Sequence, residues 1–381
     1  MSFQWKTVNP GGTQRILVTK MLPGEQWKDI LVGNNYRLDI CESREIVPRE
    51  EIIQAMGSQC DAAIGQLTES WDAELFQALQ QAGGKAYSNY AVGYDNVDVS
   101  AATAVGIPVG NTPGVLTETT AEMAVALTYS TARRVVEADG FMRSGKYNGW
   151  LPDLFLGQRL WRGTLGVIGA GRIGSAYARM MVQAEHMDLV YYDIHRNEQL
   201  EKEISDFGAY LESRGEEPVS VTRAESIEEL LDVADVVSLH PVLNEKTRHL
   251  MTSERLAAMK DDAVLVNVSR GPVIDEVALV DHCNSHPNFR VGLDVFEDEP
   301  DMKPGLAELE NVTIVPHIAS ATRWTREGMA TLAACNIAGI LEGYPVWDGD
   351  EIAPFLEAKP PQAAPSIVNA RELDMDFGGS D

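Results

Sequence analysis

Residues 164–182, TLGVIGAGRIGSAYARMMV, decide the fold. A five-residue apolar run gives way to three spaced glycines and then to a stretch rich in Ala, Arg and Met, the order of a strand, a tight turn and a helix. In that setting Gly169 permits the turn, Gly171 lets a pyrophosphate approach the backbone, and Gly174 lets the helix pack closely on its strand. The first helical turn, with Arg172 and Ile173, offers unpaired N–H groups and the positive end of the helix dipole, which suit phosphate. Asp193 stands nineteen residues beyond Gly174, at the end of the next apolar run, LVYYD. A carboxylate there can accept hydrogen bonds from an adenosine ribose and repels a 2′-phosphate, so the pattern predicts NAD(H), with NADPH accepted less well. Arg196, three residues on, is the cation placed to pair with such a phosphate.

The alternation of short apolar runs with helix-length amphipathic segments extends in both directions. Upstream, RILVT (from Arg15), YRLDI (from Tyr36), DAAIG (from Asp61), KAYSN (from Lys85) and IPVG (from Ile107) read as strands. Downstream, ADVVSLH, AVLVNVS, RVGLDVF and VTIVPH continue the series that TLGVIG opens. The chain is therefore an α/β protein with two doubly wound parallel sheets. Thr117 to about Arg143 reads as one continuous helix, and the stretch after His317 through Leu341 as another. Asn197 to Glu225 is polar and charged and reads as a surface insertion. The Pro/Ala-rich tail is expected to be partly extended and to return to the first domain.

At 381 residues the chain suits two domains rather than one core. With 44% hydrophobic and 23% charged residues it has a globular composition, and its apolar runs are strand-length, so no membrane span is expected. The N-terminus has neither an apolar signal core nor an amphipathic transit pattern. Four separated cysteines without a CxxC pair argue against a zinc site or disulfide framework and for a reducing compartment. A net charge of −26 disfavours nucleic acid and anionic membranes as partners. The same charge means that any anionic substrate needs local cations or helix N-termini.

Three residues at the ends of successive downstream strands could serve a 2-keto acid accepting a hydride: Arg270, a carboxylate in DVFEDEP, and His317. A guanidinium grips a carboxylate through two parallel hydrogen bonds. A carboxylate on one imidazole nitrogen keeps the other protonated as a general acid. Strand ends in such sheets converge on the ligand crevice. Any one of the three is as readily structural; their conjunction carries the argument. Glu297, Asp298 and Glu299 compete as the carboxylate, and for the first two a solvated turn is preferred.

NYAVGYDNVDV (from Asn89), GNTPGVLTETTAE (from Gly110), GVIGAGRIGSAYARMMV (from Gly166), SLHPVL (from Ser238), NVSRGPVIDE (from Asn267), GLDVFEDEP (from Gly292) and PHIASATRWTREGMATLAA (from Pro316) together resemble the D-isomer-specific 2-hydroxy-acid dehydrogenases. The resemblance covers nearly the whole chain and is nearest to the family's plant-type hydroxypyruvate reductase branch. It implies a flavodoxin-like substrate domain (1–118 plus 320–381) and a Rossmann NAD-binding domain (119–319), with the active site in the cleft between them. It implies Arg270, Glu299 and His317 as the catalytic set, with Val92 and Gly93 holding the substrate carboxylate alongside Arg270. Around the cofactor it implies Gly169, Gly171, Arg172, Ile173 and Gly174 at the pyrophosphate, Asp193 at the ribose, and His240 with Pro241 beside the adenosine. Val268, Ser269, Arg270, Asp294, His317, Ser320 and Thr119 fall near the nicotinamide.

The implied activity is NADH-dependent reduction of hydroxypyruvate to D-glycerate and, less well, of glyoxylate to glycolate, in a homodimer. Trp150 falls near the position of a family tryptophan that reaches the partner's cleft, but packing at the dimer interface is expected of it here. Peroxisomal members end in a tripeptide such as SKL, whereas this sequence ends in GGSD, so a cytoplasmic setting is expected, with an organelle as the alternative. Other members act on phosphoglycerate or D-lactate; no regulatory domain follows residue 345 and no basic cluster for a substrate phosphate is evident. A co-repressor that senses NAD shares the fold, and turnover separates it from an enzyme. His282 and His286 are spaced as metal ligands on a helix, yet no third ligand is near and no metal is expected.

Overall fold

The computed structural model describes residues 3–349 and 351–379. The chain forms two compact units, Met1–Leu116 with Ala321–Asp381, and Thr117–Ser320. Ser380 and Asp381, on which the compartment expectation rested in part, lie outside the described residues.

In the first unit the strands are β1 (Trp5–Val8), β2 (Gln14–Val18), β3 (Tyr36–Cys41), β4 (Ala62–Gly65), β5 (Ala86–Asn89) and β6 (Val109–Gly110). Their order is β1-β3-β2-β4-β5-β6. From β2 to β6 all pairs are parallel, in the flavodoxin-like order. The sequence assigned no element to the N-terminus, which forms β1, an antiparallel edge with Trp5 opposite Cys41. Thr7 Oγ1 donates to Asp39 Oδ1 at 2.6 Å across that pair.

The tail is bound into this unit. Thirteen of the nineteen residues of the helix Arg323–Leu341 are buried, so it lies in the core and not on the surface. Beyond it, Ile367 bridges Gly110 in antiparallel sense, extending the sheet past β6. Asn369 then ties the junction: its Oδ1 accepts from Val109 N at 2.8 Å, and its Nδ2 donates to Thr103 Oγ1 at 2.9 Å and to Ile107 O at 3.0 Å.

The second unit holds β7 (Thr164–Ile168), β8 (Asp188–Tyr192), β9 (Val221–Arg223), β10 (Val236–Leu239), β11 (Val264–Asn267), β12 (Arg290–Leu293) and β13 (Val312–Ile314). All are parallel, in the order β13-β12-β11-β10-β7-β8-β9, the Rossmann order with one strand added. Strands β10, β11 and β12 are buried on both faces, which is why they read as unbroken apolar runs. The order reverses between β7 and β10, so the crevice for a ligand opens at their C-terminal ends.

Two expectations are corrected. The helix expected from Thr117 to Arg143 is two, Thr117–Ala132 and Val135–Arg143. Arg134 between them takes a left-handed conformation (φ 56°) and pairs with Glu137 while covering the Phe155 ring, and Gln158 N takes the carbonyl of Ala132. Asn197–Glu225 is no insertion. It supplies the helix Glu198–Ser213, which buries Leu200, Ile204, Gly208 and Leu211 on one face, and the edge strand β9.

Asn369→Ala strips three partners from buried backbone and hydroxyl groups, and should cost about 2–3 kcal/mol. Urea unfolding followed by tryptophan fluorescence reads this; an unshifted midpoint contradicts it.

Candidate functional site

The glycine turn is built as its spacing required. Gly169 has φ +93°, and a Cβ there would lie 2.7 Å from the carbonyl carbon of His240. A Cβ on Gly174 would stand 2.0 Å from Gly169 O. At Gly171 a Cβ would meet nothing within 4 Å. The first and third glycines are thus forced by protein packing, and the second leaves an open face at the N-terminus of the helix Arg172–Glu185. Arg172 and Ile173 form its first turn. An open glycine beneath unpaired helical N–H groups fits a dinucleotide's phosphates.

Asp193 holds the turn itself. Its Oδ2 accepts from Ala170 N at 2.8 Å and its Oδ1 from His195 N at 2.9 Å. Asn197 donates to Ala170 O at 2.8 Å from the other side, and Arg223 donates to Asp193 O at 2.9 Å. Arg196 is committed to Glu201 through contacts of 2.7–3.1 Å. His240 and Pro241 follow β10 beside Gly169. Burial pushes the His240 imidazole down to about 3, so it is neutral. Thr119 lies in the first turn of Thr117–Ala132.

Three loops meet at the C-terminal ends of β11, β12 and β13. Asn267 ends β11 with its side chain folded back: Nδ2 donates to Arg270 O at 2.9 Å, and Oδ1 accepts from Ser269 N at 3.0 Å and Ser269 Oγ at 2.7 Å. Val268 is buried beneath. Gly271 then passes so close to the next loop that a Cβ would lie 1.8 Å from Phe296 O. This contact brings the Arg270 and Glu299 loops together.

Asp294, 0% exposed, accepts from Ile318 N at 2.6 Å and Ala319 N at 3.0 Å, while its carbonyl accepts from His317 N at 2.9 Å. Burial raises its carboxyl pKa against the lowering pull of those N–H groups. His317, held in the left-handed region (φ 51°), puts Nδ1 2.8 Å from Glu299 Oε2. Glu299 Oε1 accepts from Phe296 N at 3.0 Å. Burial works to raise the Glu299 carboxyl; the His317 hydrogen bond and charge, Phe296 N–H and the Arg270 charge outweigh it and hold it below the usual range. Arg270, Glu299 and His317 thus act on one another, and Ser320 closes the same loop as His317.

Of the competing carboxylates, Asp298 is half-exposed and pairs with Lys303 at 2.6 Å. Glu297 corrects the solvated-turn expectation: its side chain is 6% exposed and takes His249 Nε2 at 2.7 Å and Arg248 at 3.4 Å. His282 and His286 stack at 4.1 Å, and no cluster of three metal-ligating side chains occurs among the described residues.

In the first unit, Val92 and Gly93 follow β5. Their carbonyls accept from Asn111 Nδ2 at 2.9 Å and Asn89 Nδ2 at 3.0 Å. Their N–H groups have no acceptor among the described residues. Adjacent free N–H groups in a fixed loop form an anion-binding concavity. Sequence reading passed over Asn267, Gly271 and the asparagines that fix this loop, although Asn267 opens the motif NVSRGP; a motif marks a loop without saying which member braces it.

Residues 125–319 match the family described as D-isomer specific 2-hydroxyacid dehydrogenase, NAD binding domain. The chain belongs to that family. The glycerate dehydrogenase of Cucumis sativus is 58% identical over 369 residues, 96% of this chain and 97% of its own length. An Arabidopsis thaliana protein named glycerate dehydrogenase HPR, peroxisomal, is 58% identical over 371 residues, 96% of each chain. Among solved structures, the TT0316 protein of Thermus thermophilus is similar with a TM-score of 0.77 and 36% identity, covering 93% of this dehydrogenase and all of that chain.

Gly271→Ala forces the two loops of this dehydrogenase apart and should cost roughly 1–3 kcal/mol. Since Arg270 and Glu299 flank the contact, turnover should fall about tenfold or more as the melting temperature drops. Wild-type values for both contradict the packing argument.

Proposed function

We propose that this dehydrogenase uses NADH to reduce hydroxypyruvate to D-glycerate and, less well, glyoxylate to glycolate. The observation that carries the reading is the Glu299–His317 hydrogen bond at 2.8 Å beside the Arg270 charge. The bound dinucleotide supplies the hydride that reaches substrate C2. Glu299 binds Nδ1 of His317, which orients Nε2–H to protonate the carbonyl oxygen. Arg270 grips the substrate carboxylate through its planar fork, and Val92 and Gly93 offer their free N–H groups to the same carboxylate. Thr119, Val268, Ser269, Asp294 and Ser320 line the nicotinamide end; His240 and Pro241 border the adenosine.

NADH is preferred over NADPH because Asp193 puts a carboxylate where a 2′-phosphate would sit and Arg196 is already neutralised by Glu201. A second copy of the chain is the expected partner. The helix Val135–Arg143 buries none of its residues, and Met142, Tyr147, Leu151, Leu156 and Trp150, 79% exposed, leave an apolar stretch to be covered. The four cysteines are free and buried, which suits the cytoplasm or a peroxisome alike. No helix among the described residues is long and apolar enough to cross a membrane.

The test is NADH oxidation with hydroxypyruvate, glyoxylate, pyruvate and phosphohydroxypyruvate side by side. Hydroxypyruvate should give the highest kcat/KM; a phosphorylated or apolar preference overturns the substrate. His317→Ala should lower kcat by about 100-fold or more while NADH still binds. Near-wild-type turnover removes the acid from the mechanism.

The lowered Glu299 carboxyl also sets a pH trend. Its stabilising pairing is fully present above the ordinary carboxylate range and is lost as pH falls through the lowered value. In urea melts the advantage of wild type over Glu299→Gln should shrink as pH falls below about 4. An advantage that persists undiminished as pH falls through the carboxylate range contradicts the pairing.

A further inference from the structure

The loops after β4 and β5 leave neighbouring parallel strands at the same end of the first unit's sheet. The second loop carries Val92 and Gly93, and three donors pin its carbonyls. Thr112 N holds Ala91 O at 2.8 Å, Asn111 Nδ2 holds Val92 O at 2.9 Å, and Asn89 Nδ2 holds Gly93 O at 3.0 Å. In a planar trans peptide the N–H points away from the carbonyl, so the first two bonds set the directions of the Val92 and Gly93 N–H groups. The third bond comes from a side-chain amide that could turn over. Asn89 is 0% exposed, and its Oδ1 lies 3.1 Å from the Tyr87 hydroxyl, a group able to donate or accept. Tyr87 therefore does not choose which way the Asn89 amide faces.

Asn96 does. Its Nδ2 donates to two backbone carbonyls, Glu69 O at 2.9 Å and Gln66 O at 3.1 Å. Carbonyls only accept, so Oδ1 is the atom left to face Asn89 Nδ2, 3.0 Å away. A longer contact of 3.3 Å joins Asn96 Nδ2 to Asn89 Oδ1. The turn that supplies the two carbonyls is itself fixed: Glu69 Oε2 accepts from Gln66 N and from Trp71 Nε1, each at 3.1 Å, and the fully buried Trp71 donates its backbone N–H to Asn96 O at 2.9 Å. We propose that Asn96 is a positioning residue for keto-acid binding: it ties the 66–69 turn to Asn89, so that Asn89 keeps its amide nitrogen on Gly93 O and the loop of Val92 and Gly93 stands preformed before the ligand arrives. This rests on the reading of Val92 and Gly93 as the loop that takes the substrate carboxylate. Asn96 acts through Asn89, and what it contributes is an ordering cost removed from binding.

Asn96→Ala should raise KM for hydroxypyruvate about tenfold, the worth of roughly one hydrogen bond, while kcat and NADH affinity change less than about twofold. Asn96→Asp keeps an acceptor for Asn89 but sets a carboxylate against Gln66 O and Glu69 O, so it should not restore KM. A role confined to folding would lower the melting temperature and leave the KM of the folded enzyme as it is. Wild-type KM in either variant, or a loss that falls on kcat with KM unchanged, overturns the proposal. Hydrogen exchange of the Asn89 side-chain amide, followed by NMR in the chain without ligands, gives a reading independent of catalysis. The amide should be protected in the wild type and should exchange about tenfold faster or more in Asn96→Ala. Exchange in the wild type as fast as at exposed asparagines, or protection unchanged by the substitution, also overturns it. If the wild type turns over no keto acid, the functional reading fails, and the exchange measurement still decides whether Asn96 orders Asn89.

Discussion

The loops that carry the candidate site hang on the buried carboxylate of Asp294. It ends β12 between the Arg270 loop and the His317 loop and reaches both: its N–H donates to Asn267 O at 3.0 Å, and its side chain and carbonyl receive three successive N–H groups from His317 to Ala319. An unpaired carboxylate at that depth would be costly, so the three donors are as necessary to Asp294 as it is to them. That mutual requirement gives His317 its left-handed backbone and turns its ring toward Glu299. Remove the carboxylate and nothing else at the strand end would hold consecutive N–H groups in that curve. Asp294 thus acts before any ligand arrives, which is how a site comes to be pre-organised.

An anionic substrate faces a chain of net charge −26, and the structure answers that problem locally. The free N–H groups of Val92 and Gly93, the open first turn of Arg172–Glu185 and the Arg270 guanidinium are all short-range sources of positive potential. Surface arginines such as Arg196, Arg49 and Arg143 are paired with neighbouring carboxylates. At physiological ionic strength the distant acidic charges are screened beyond roughly 8 Å, so the net charge does little to oppose each of these sources at short range.

The parts legible in the sequence were those governed by local rules. The glycine turn, the two doubly wound sheets and the strand-end positions of Arg270 and His317 follow from spacing and apolar runs, whereas Glu299 was singled out from Glu297 and Asp298 only by the family resemblance; the structure sets it 2.8 Å from His317. What escaped depends on contacts made far along the chain. The helix break at Arg134 is invisible to propensity because it is enforced by Glu137, Phe155 and Gln158. Strand β9 is short and polar because it is an edge, so the helix before it looked like part of an insertion. Glu297 looked like its neighbour Asp298; only the three-dimensional placement of His249 and Arg248 separates a buried brace from a solvated turn. Gly271 is one glycine among 32 in the sequence, and only the approach of Phe296 O sets it apart.

Two histidines end strands of the same sheet, and their surroundings differ in the way their proposed tasks require. His240 meets the Ser238 hydroxyl and the Tyr177 ring, and burial keeps the imidazole neutral. His317 meets the Glu299 carboxylate at Nδ1 and remains part-exposed. Swapping those environments would defeat both: a charged ring buried beside Tyr177 would bear the full desolvation cost, and a ring opposite a hydroxyl would lack the carboxylate that orients it. A common fold position therefore says little about what a histidine does; the atom opposite each nitrogen decides it.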